Sequence, residues 1–345
     1  MSNKSPDNDK SNAMTSRDTL HRIATGFILS RALMTAAELK IADTLKDKKK
    51  TALEIAKELD LHPESVKRLL RYLASHNIFN ENSENQFSLT ALSEIMVTDH
   101  QNSFHAFLEM IADTPPWDSF KHMMHTLKTG EPAFDYLHNQ SFFNYMAEHP
   151  ESNAKFNAGM SCFSSPDNSN IVNAYDFGND LTVVDIGGGK GSFLAMILSM
   201  HTNTHGILYD QSDIVNEPNE EINNLAGDRC QIISGDFFQS VPTGGDIYTL
   251  KLILHDWDDQ QAVKILTNIH EVLPDNGKVL VIEGIMLDGN EPDPHKQLDI
   301  SMMTIFGGRE RTIKEFETLF KSAGLQINKV IDTPSRLSII EAVKH

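Results

Sequence analysis

The stretch Leu181-Thr-Val-Val-Asp-Ile-Gly-Gly-Gly-Lys-Gly191 decides the fold of the chain. Its first six residues have the apolar and β-branched character of a strand buried inside a sheet. The glycines that follow allow a tight turn and let a ligand approach the backbone N–H groups. A helix beginning near Lys190 would point its positive end at the same place. The stretch therefore predicts the first strand and the ligand-binding turn of an open α/β sheet.

The rest of the C-terminal half repeats the alternation of strand and helix. Six further strands are predicted: Gly206 to Tyr209, Cys230 to Ser234, Ile247 to Leu250, Lys278 to Glu283, Leu325 to Ile331 and Leu337 to Ala342. This pattern favours a parallel sheet covered by helices on both faces. Only Asp332-Thr-Pro-Ser335 separates the last two strands, which is too short for a crossover helix. These two strands are therefore predicted to pair antiparallel.

The N-terminal half has helical periodicity. Apolar residues recur at helical spacing near its start: Leu20, Ile23, Phe27, Ile28, Met34 and Leu39. Thr51 with Glu54 three residues later predicts a capping box, and Pro63 predicts the start of the next helix. A short hairpin is predicted at 77–79 and 86–89. Small helices followed by a hairpin are the order of a winged helix.

These patterns divide the chain into four predicted segments: a disordered tail (1–14), a helical and winged-helix domain (15–100), linking helices (101–178) and an α/β domain (179–345). In the linking segment, helical stretches are expected from 104 to 127 and from 142 to 175.

Composition limits the class of protein. The formal net charge of −18 disfavours nucleic acid and anionic lipid as partners. No apolar run approaches the ~20 residues that a bilayer crossing needs, and the polar N-terminus lacks a signal-peptide pattern. The two cysteines, Cys162 and Cys230, form neither a disulfide framework nor a CxxC metal site. A cytoplasmic protein without a membrane partner is expected.

Polar residues follow several predicted strands, where open α/β sheets bind ligands. Gly187, Gly189 and Gly191 give the spacing G-x-G-x-G, preceded by Asp185. The alternative interpretation is a tight glycine turn that binds nothing. About twenty residues later, Asp210 can accept hydrogen bonds from two ribose hydroxyls. The alternative for this residue taken alone is a helix N-cap or a solvated loop acid.

Two further strand ends complete the pattern. After the third strand, Asp236 can accept the adenine amino group and Phe237 can lie against the ring. After the fourth strand comes Lys251-Leu-Ile-Leu-His255-Asp256-Trp257-Asp258-Asp259. His255 is placed to act as a base, although a lone histidine is often structural. No metal is expected, because no second His or Cys falls at ligand spacing. Asp258 and Asp259 are predicted to begin a helix.

Four stretches together resemble the cation-independent small-molecule O-methyltransferases: Val184 to Gly191, Gly235 to Phe238, Lys251 to Asp259 and Gly307 to Thr312. That family includes plant caffeate and flavonoid enzymes, hydroxyindole O-methyltransferase and bacterial natural-product enzymes. The resemblance runs from about Arg17 onward. It implies a Rossmann-like class I methyltransferase domain and an N-terminal dimerisation domain that forms a homodimer. It also implies S-adenosylmethionine (SAM) as the donor, S-adenosylhomocysteine (SAH) as its product, no metal, and a small phenolic or polyketide-type acceptor.

The resemblance further implies roles for single residues. The donor would be held by residues at the strand ends: Gly187, Gly189, Asp210, Asp236, Phe237 and Lys251. His255 would be the catalytic base. Glu283 and Glu310 would hold and polarise its imidazole, and Asp256 is a further candidate for orienting it.

The acceptor would lie against the predicted helix around residues 156–161. Phe156 belongs to that helix, and Met160 would pack on the acceptor ring. The alternative for Met160 is simple core packing. This stretch departs from the family pattern after residue 161, so the resemblance carries least detail for the acceptor pocket.

Two other functions are compatible with parts of the sequence. A member of the family can be diverted to hydroxylation, decarboxylation or methylation of another atom, but such diversion usually removes the base. A winged helix can also bind DNA through a helix carrying Lys67, Arg68 and Arg71. Residues 35–95 hold 10 acidic and 9 basic residues, which does not form the basic stripe that DNA binding requires.

Overall fold

The computed structural model describes residues 15–215, 218, 220–225 and 228–345. The chain divides after Ala112 into two compact units, each described here by itself. The predicted disordered tail, residues 1–14, lies outside the described residues. The finer division into four segments stays a prediction.

The first unit is mostly helical and contains one small sheet. Its elements are α1 (Ser16–Ala24), α2 (Gly26–Glu38), α3 (Ile41–Thr44), β1 (Lys50–Thr51), α4 (Ala52–Glu58), α5 (Pro63–Ser75), β2 (Phe79–Glu81), β3 (Gln86–Leu89), α6 (Ala91–Glu94) and α7 (His105–Ala112). The three strands pair antiparallel in the order β1-β3-β2. The predicted hairpin is therefore present as β2 and β3.

Local signals in the first unit act as predicted. The Thr51 hydroxyl accepts the N–H of Glu54, and the Glu54 carboxylate accepts the N–H of Thr51 at 2.7 Å. This confirms the capping box. Pro63 is the first residue of α5, where its missing N–H costs no helical hydrogen bond.

The second unit holds the larger sheet. Its helices are α8 (Thr114–Ser119), α9 (Met123–Thr129), α10 (Ala133–His138), α11 (Phe142–Glu148), α12 (Pro150–Ala174), α13 (Ser192–Met200), α14 (Ser212–Val215), α15 (Glu220–Leu225), α16 (Asp259–Val272), α17 (Pro294–Ser301) and α18 (Ile313–Ser322). Its strands are β4 (Thr182–Ile186), β5 (His205–Asp210), β6 (Cys230–Ser234), β7 (Ile247–Lys251), β8 (Lys278–Glu283), β9 (Leu325–Asp332) and β10 (Ser338–Lys344). Short 3-10 turns occur at Phe120–His122 and Leu254–Asp256, and a π-helical turn at Met302–Phe306.

The sheet has the order β6-β5-β4-β7-β8-β10-β9. Strands β4 to β8 run parallel, and β10 pairs antiparallel with both β8 and β9. The antiparallel pairing predicted for the last two strands is thus confirmed. Neighbouring residues Val183 and Val184 of β4 belong to different buried clusters, so both faces of the sheet are covered. The carboxyl ends of β6, β5, β4 and β7 lie side by side.

Prolines interrupt both of the helical stretches that were predicted for the linking segment. The stretch from 104 to 127 consists of α7, α8, a 3-10 turn and part of α9, and Pro115 stands in the first turn of α8. The stretch from 142 to 175 is divided at His149, because Pro150 begins α12. A proline lacks the N–H that would continue the preceding helix. No helix among the described residues is long and apolar enough to cross a membrane.

Candidate active site

The glycine turn after β4 requires glycine at several positions, among them Gly187 and Gly189. Gly187 has a φ of +67° and Gly189 a φ of +60°, in the left-handed region that disfavours side chains. A Cβ at Gly187 would also collide with the side chain of Ile253. The Gly187 N–H donates to the carbonyl of Tyr209 at 2.8 Å, which ties the turn to the end of β5.

Asp210, at the end of β5, lies directly beside this turn. Its Oδ2 accepts the N–H of Gly189 at 2.8 Å, and its Oδ1 accepts the N–H of Gln211 at 2.7 Å. A hydrogen bond therefore joins the carboxylate that is predicted to bind ribose to the glycine turn that is predicted to surround the donor.

A buried acid and a half-buried lysine lie near the turn. The Oδ1 of Asp185 accepts the hydroxyl of Thr249 at 2.7 Å, while its buried Oδ2 has no hydrogen-bond partner among the described residues. Burial raises the pKa of Asp185 to about 6. Burial also lowers the pKa of Lys251, at the end of β7, to about 8. The Lys251 ammonium lies 3.5 Å from the carbonyl of Ser164 on α12.

The end of β6 supplies the remaining predicted pair. Asp236 is exposed, and its Oδ1 accepts the N–H of Phe238 at 2.8 Å. The half-buried ring of Phe237 lies 3.8 Å from the position that a Cβ on Gly187 would take, and it stands edge-on to Trp257, with ring centroids 6.0 Å apart. Four adjacent strand ends thus present left-handed glycines, an orphaned buried carboxyl oxygen, two further acids and an aromatic ring. This set of groups fits a nucleoside that carries a charged amino-acid end.

The chain leaves β7 through a strained residue. Leu252 has a φ of +57°, which is rare for a bulky side chain. Its N–H is held by the carbonyl of Ile282 at 3.1 Å. The strained turn leads into the 3-10 turn Leu254–Asp256, which carries His255. Strain of this kind concentrates at functional sites.

Glu310 fixes the tautomer of His255. The Nδ1 of the buried imidazole lies 2.6 Å from the Oε1 of Glu310, whose side chain is 1% exposed. An ionised carboxylate only accepts hydrogen bonds, so Nδ1 carries the hydrogen. In the neutral imidazole the lone pair therefore stands on Nε2, which lies 3.6 Å from the Oδ1 of Asp256. The arrangement leaves Nε2 as the atom that can take up a proton.

Glu283 acts on the backbone instead of the imidazole. Its Oε1 accepts the N–H of Ile253 at 3.2 Å and the N–H of His255 at 3.1 Å. Glu283 reaches these two N–H groups because it lies at the end of β8, beside the turn that follows β7. Its effect on the imidazole is electrostatic, which differs from the direct hold that the resemblance implied for both glutamates.

The carboxylates around His255 change its basicity. Burial opposes the charged imidazolium, but the carboxylates of Asp256, Glu310 and Glu283 outweigh burial and raise the pKa of His255 to about 9. Burial also opposes ionisation of Glu310, yet the hydrogen bond from His255 and the nearby imidazole of a second histidine, His295, lower the pKa of Glu310 to about 2. Burial raises the pKa of Asp256 to about 6.

Arg311 and His295 were missed by the sequence reasoning. Fully buried Arg311 donates to the carbonyls of Leu254 and Trp257 at 2.8 and 2.9 Å and to Asp259 at 2.9 Å, which fixes the loop that carries His255. Arg311 lies inside the Gly307 to Thr312 motif, so its role could have been suspected. His295 lies in the first turn of α17, after an acidic segment, and gave no signal in the sequence.

The predicted acceptor side contains a group of aromatic rings, named here the aromatic wall: Phe142, Phe143, Phe156, Trp257 and Phe306. Phe143 stacks on Trp257 with centroids 5.6 Å apart, and Phe142 lies 5.0 Å from Phe156 and 4.6 Å from Phe306. Trp257 follows His255 by two residues, so the wall includes a side chain from the loop that carries His255. Phe142 itself is buried.

Met160 lies one turn beyond Phe156 on α12 and is half-buried. Asp258 caps α16 by accepting the N–H of Gln261 at 2.8 Å, as predicted. In the part of the chain that the structure describes, no three His, Cys, Asp or Glu side chains are grouped so that they could hold a metal ion.

Comparisons with known proteins agree with this architecture. Residues 21–99 match the O-methyltransferase dimerisation domain, and residues 119–326 match the O-methyltransferase domain. The chain is 35% identical to phenazine O-methyltransferase PhzM of Lysobacter antibioticus, over 97% of this chain and 98% of that protein. It is 31% identical to the mitomycin biosynthesis 6-O-methyltransferase of Streptomyces lavendulae, over 90% of each.

Among solved structures, the chain resembles the O-methyltransferase NcsB1 from neocarzinostatin biosynthesis, in complex with SAM and 2-hydroxy-5-methyl naphthoic acid. The TM-score is 0.82 at 31% identity, and the likeness covers 96% of this chain and 100% of that one.

Proposed function

The chain belongs to the SAM-dependent O-methyltransferase family, and on that premise we propose that it methylates a hydroxyl group of a fused-ring aromatic molecule with His255 as general base. The observation that carries the proposal is the buried pair of His255 and Glu310 at 2.6 Å. It fixes the tautomer that has its lone pair on Nε2, on the same loop as Trp257 of the aromatic wall.

SAM is the methyl donor of the family, and we assign its site to the four strand ends. Gly187 and Gly189 would surround the methionine part, and Asp210 would accept the ribose hydroxyls. Asp236 and Phe237 would meet the adenine, while Lys251 would contribute its charge below the turn. When bound, SAM supplies an electrophilic methyl group on a sulfonium. The enzyme's own residues must then hold the acceptor oxygen in place and remove its proton.

The raised basicity of His255 suits that task. A phenol has a pKa near 10 and an unperturbed histidine one near 6.5, so complete proton transfer between them would cost about 5 kcal/mol. With the pKa of His255 raised to about 9 by its carboxylate neighbours, the cost falls to about 1.4 kcal/mol. Glu310 stabilises the imidazolium that forms, as the acid does in catalytic triads. Since the imidazole handles the proton, the proposal needs no metal.

The aromatic wall supports a flat, fused-ring acceptor. Large aromatic side chains bind flat rings by stacking and edge contacts. The related proteins named above act, by their names, on a phenazine and in mitomycin biosynthesis, and NcsB1 binds a naphthoic acid. We extend that substrate class to this enzyme. Met160 and Phe156 are proposed to face the acceptor.

We also propose a homodimer formed through the first unit, whose α4, α5 and β2–β3 hairpin we assign as a winged helix. Apolar side chains on α1 and α2 are unusually exposed: Leu20 at 67%, Ile23 at 67%, Phe27 at 61% and Ile28 at 47%. Exposed apolar patches of this kind mark protein interfaces. The match to a dimerisation domain at residues 21–99 supports the same conclusion.

The proposal is tested by incubating the enzyme with SAM and measuring SAH release in the presence of candidate acceptors. Hydroxyphenazines and hydroxynaphthoic acids should be methylated, and simple phenols should be methylated more slowly. Mass spectrometry should place the added methyl on oxygen. Turnover restricted to amines, or SAH release without a methylated product, would contradict the proposal. The same assay with EDTA should give an unchanged rate.

A further inference from the structure

A second histidine faces the far side of the Glu310 carboxylate. The Nδ1 of His295 lies 3.6 Å from Oε2 of Glu310, while Oε1 of the same carboxylate lies 2.6 Å from Nδ1 of His255. Glu310 is almost fully buried, so water does not separate the three groups. One carboxylate therefore stands between two imidazoles, and its charge is shared by both.

The hydrogen-bond partners of His295 define its protonation. Its Nε2 lies 3.0 Å from the carbonyl oxygen of Arg336. A carbonyl only accepts hydrogen bonds, so Nε2 must carry a hydrogen. A lone pair on Nδ1 would then face the Glu310 carboxylate and be repelled by it. A hydrogen on both nitrogens satisfies both contacts, and these contacts raise the pKa of His295 and favour its imidazolium form.

The backbone around His295 leaves space for its imidazole ring and fixes its position. A Cβ at Gly284, directly after Glu283 at the end of β8, would collide with the imidazole of His295. Asp293 caps α17 and accepts the N–H of His295 at 2.8 Å, which fixes the backbone at the start of that helix. The His295 side chain is only 10% exposed. A glycine at one strand end and a helix cap thus hold a cation behind the proposed base.

We propose that His295 is a positioning residue for the reaction, a second imidazole that shares Glu310 with His255 and so sets how readily His255 takes up and releases the acceptor's proton. This inference rests on the proposed role of His255 as the base. It adds a residue that the catalytic motifs of the sequence do not contain.

The surrounding charges give the direction of the effect. Three carboxylates act on His255, those of Asp256, Glu283 and Glu310, and all favour its protonated form. His295 faces the carboxylates of Glu310 and Asp293. A cation at His295 draws on the charge of Glu310 and opposes a second cation at His255. The cation at His295 therefore keeps His255 neutral down to a lower pH. Without this cation, His255 would stay protonated, and so unable to accept a proton, over a wider pH range.

The test compares two neutral replacements in the full-length enzyme saturated with SAH. The amide of Gln in His295→Gln can still donate to the Arg336 carbonyl, whereas Asn in His295→Asn is too short for that contact. Both remove the charge. With 13C-labelled histidine, the NMR titration midpoint of His255 should rise in both variants by roughly one pH unit, which is a ~10-fold change in proton affinity. The His255 signal is assigned by its loss in His255→Gln.

The protonation state of His295 can also be measured in the wild-type enzyme, so this part of the test does not depend on whether a variant at position 295 folds. His295 itself should show the chemical shifts of an imidazolium at pH 7.5. A neutral His295, an unchanged or lowered His255 midpoint, or a rise confined to His295→Asn would each overturn the inference. The titration does not depend on catalysis. A raised His255 midpoint together with an unshifted pH–rate profile would uphold the coupling and instead refute His255 as the base.

Discussion

Replacing Glu310 with glutamine separates the charge of this residue from its shape. The amide keeps the size of the side chain, but the 2.6 Å contact to Nδ1 of His255 loses its ionised acceptor. A hydrogen bond to a buried charged group contributes about 1.5–3 kcal/mol. If that energy is available when the imidazolium forms, kcat should fall by ~10- to ~150-fold.

The pH dependence should change together with the rate. Removing one of the carboxylates that raise the pKa of His255 lowers that pKa. The variant's rate should therefore reach its plateau at a lower pH than that of the wild type, although the plateau itself is lower. Steady-state rates from pH 6 to pH 10, measured as SAH release with an acceptor found in the screen, give both quantities.

Glu317→Gln is the matched control. Glu317 lies on α18, seven residues further along, and is exposed to solvent. It should leave the rate and the pH profile unchanged. A Glu310→Gln enzyme with a wild-type plateau and an unshifted profile would refute the view that this carboxylate supports the base.

The remaining predictions concern pH, donor and assembly. The wild-type rate should rise with pH until about 9, because His255 must lose its proton before it can accept another; a rate that is flat between pH 6 and pH 9 would show that no such group titrates. Asp210→Ala should weaken SAH binding ~10-fold or more in calorimetry, since the carboxylate also braces Gly189 at 2.8 Å, and unchanged affinity would remove it from the donor site. Leu20→Arg combined with Ile23→Arg should turn the dimer into a monomer in light scattering, and a variant that stays dimeric would place the interface elsewhere.

Local signals allowed much of the fold to be predicted. The apolar character of β4 and the glycines behind it predicted the sheet, and the short connection between β9 and β10 predicted their antiparallel pairing. The capping box at Thr51 and Glu54 depends on residues three apart, so sequence alone contains it. Pro115 and Pro150 were equally visible, and they divide the expected helical stretches where proline chemistry requires.

Contacts between distant residues could not be predicted in the same way. Glu283 meets the backbone of Ile253 and His255 because β7 and β8 are neighbours, which depends on strand order and register. His295 reaches Glu310 across fifteen positions of the sequence, and only the space at Gly284 allows its ring to fit. No pattern of residue types in the sequence predicts that His255, Glu310 and His295 come together in the fold.

The most direct test of the account is turnover and SAM binding measured on one preparation of His255→Ala. Apart from Lys251, which ends β7 just before the loop that carries His255, the proposed donor residues lie at other strand ends, so SAM affinity should stay within about threefold of the wild type. Turnover should fall ~100-fold or more, since a positioned general base contributes ~100- to 10,000-fold. The rise in rate up to pH 9 should also disappear, leaving a dependence on the acceptor's own ionisation. A variant that binds SAM normally and turns over at a near-normal rate would contradict the assignment of His255 as the base.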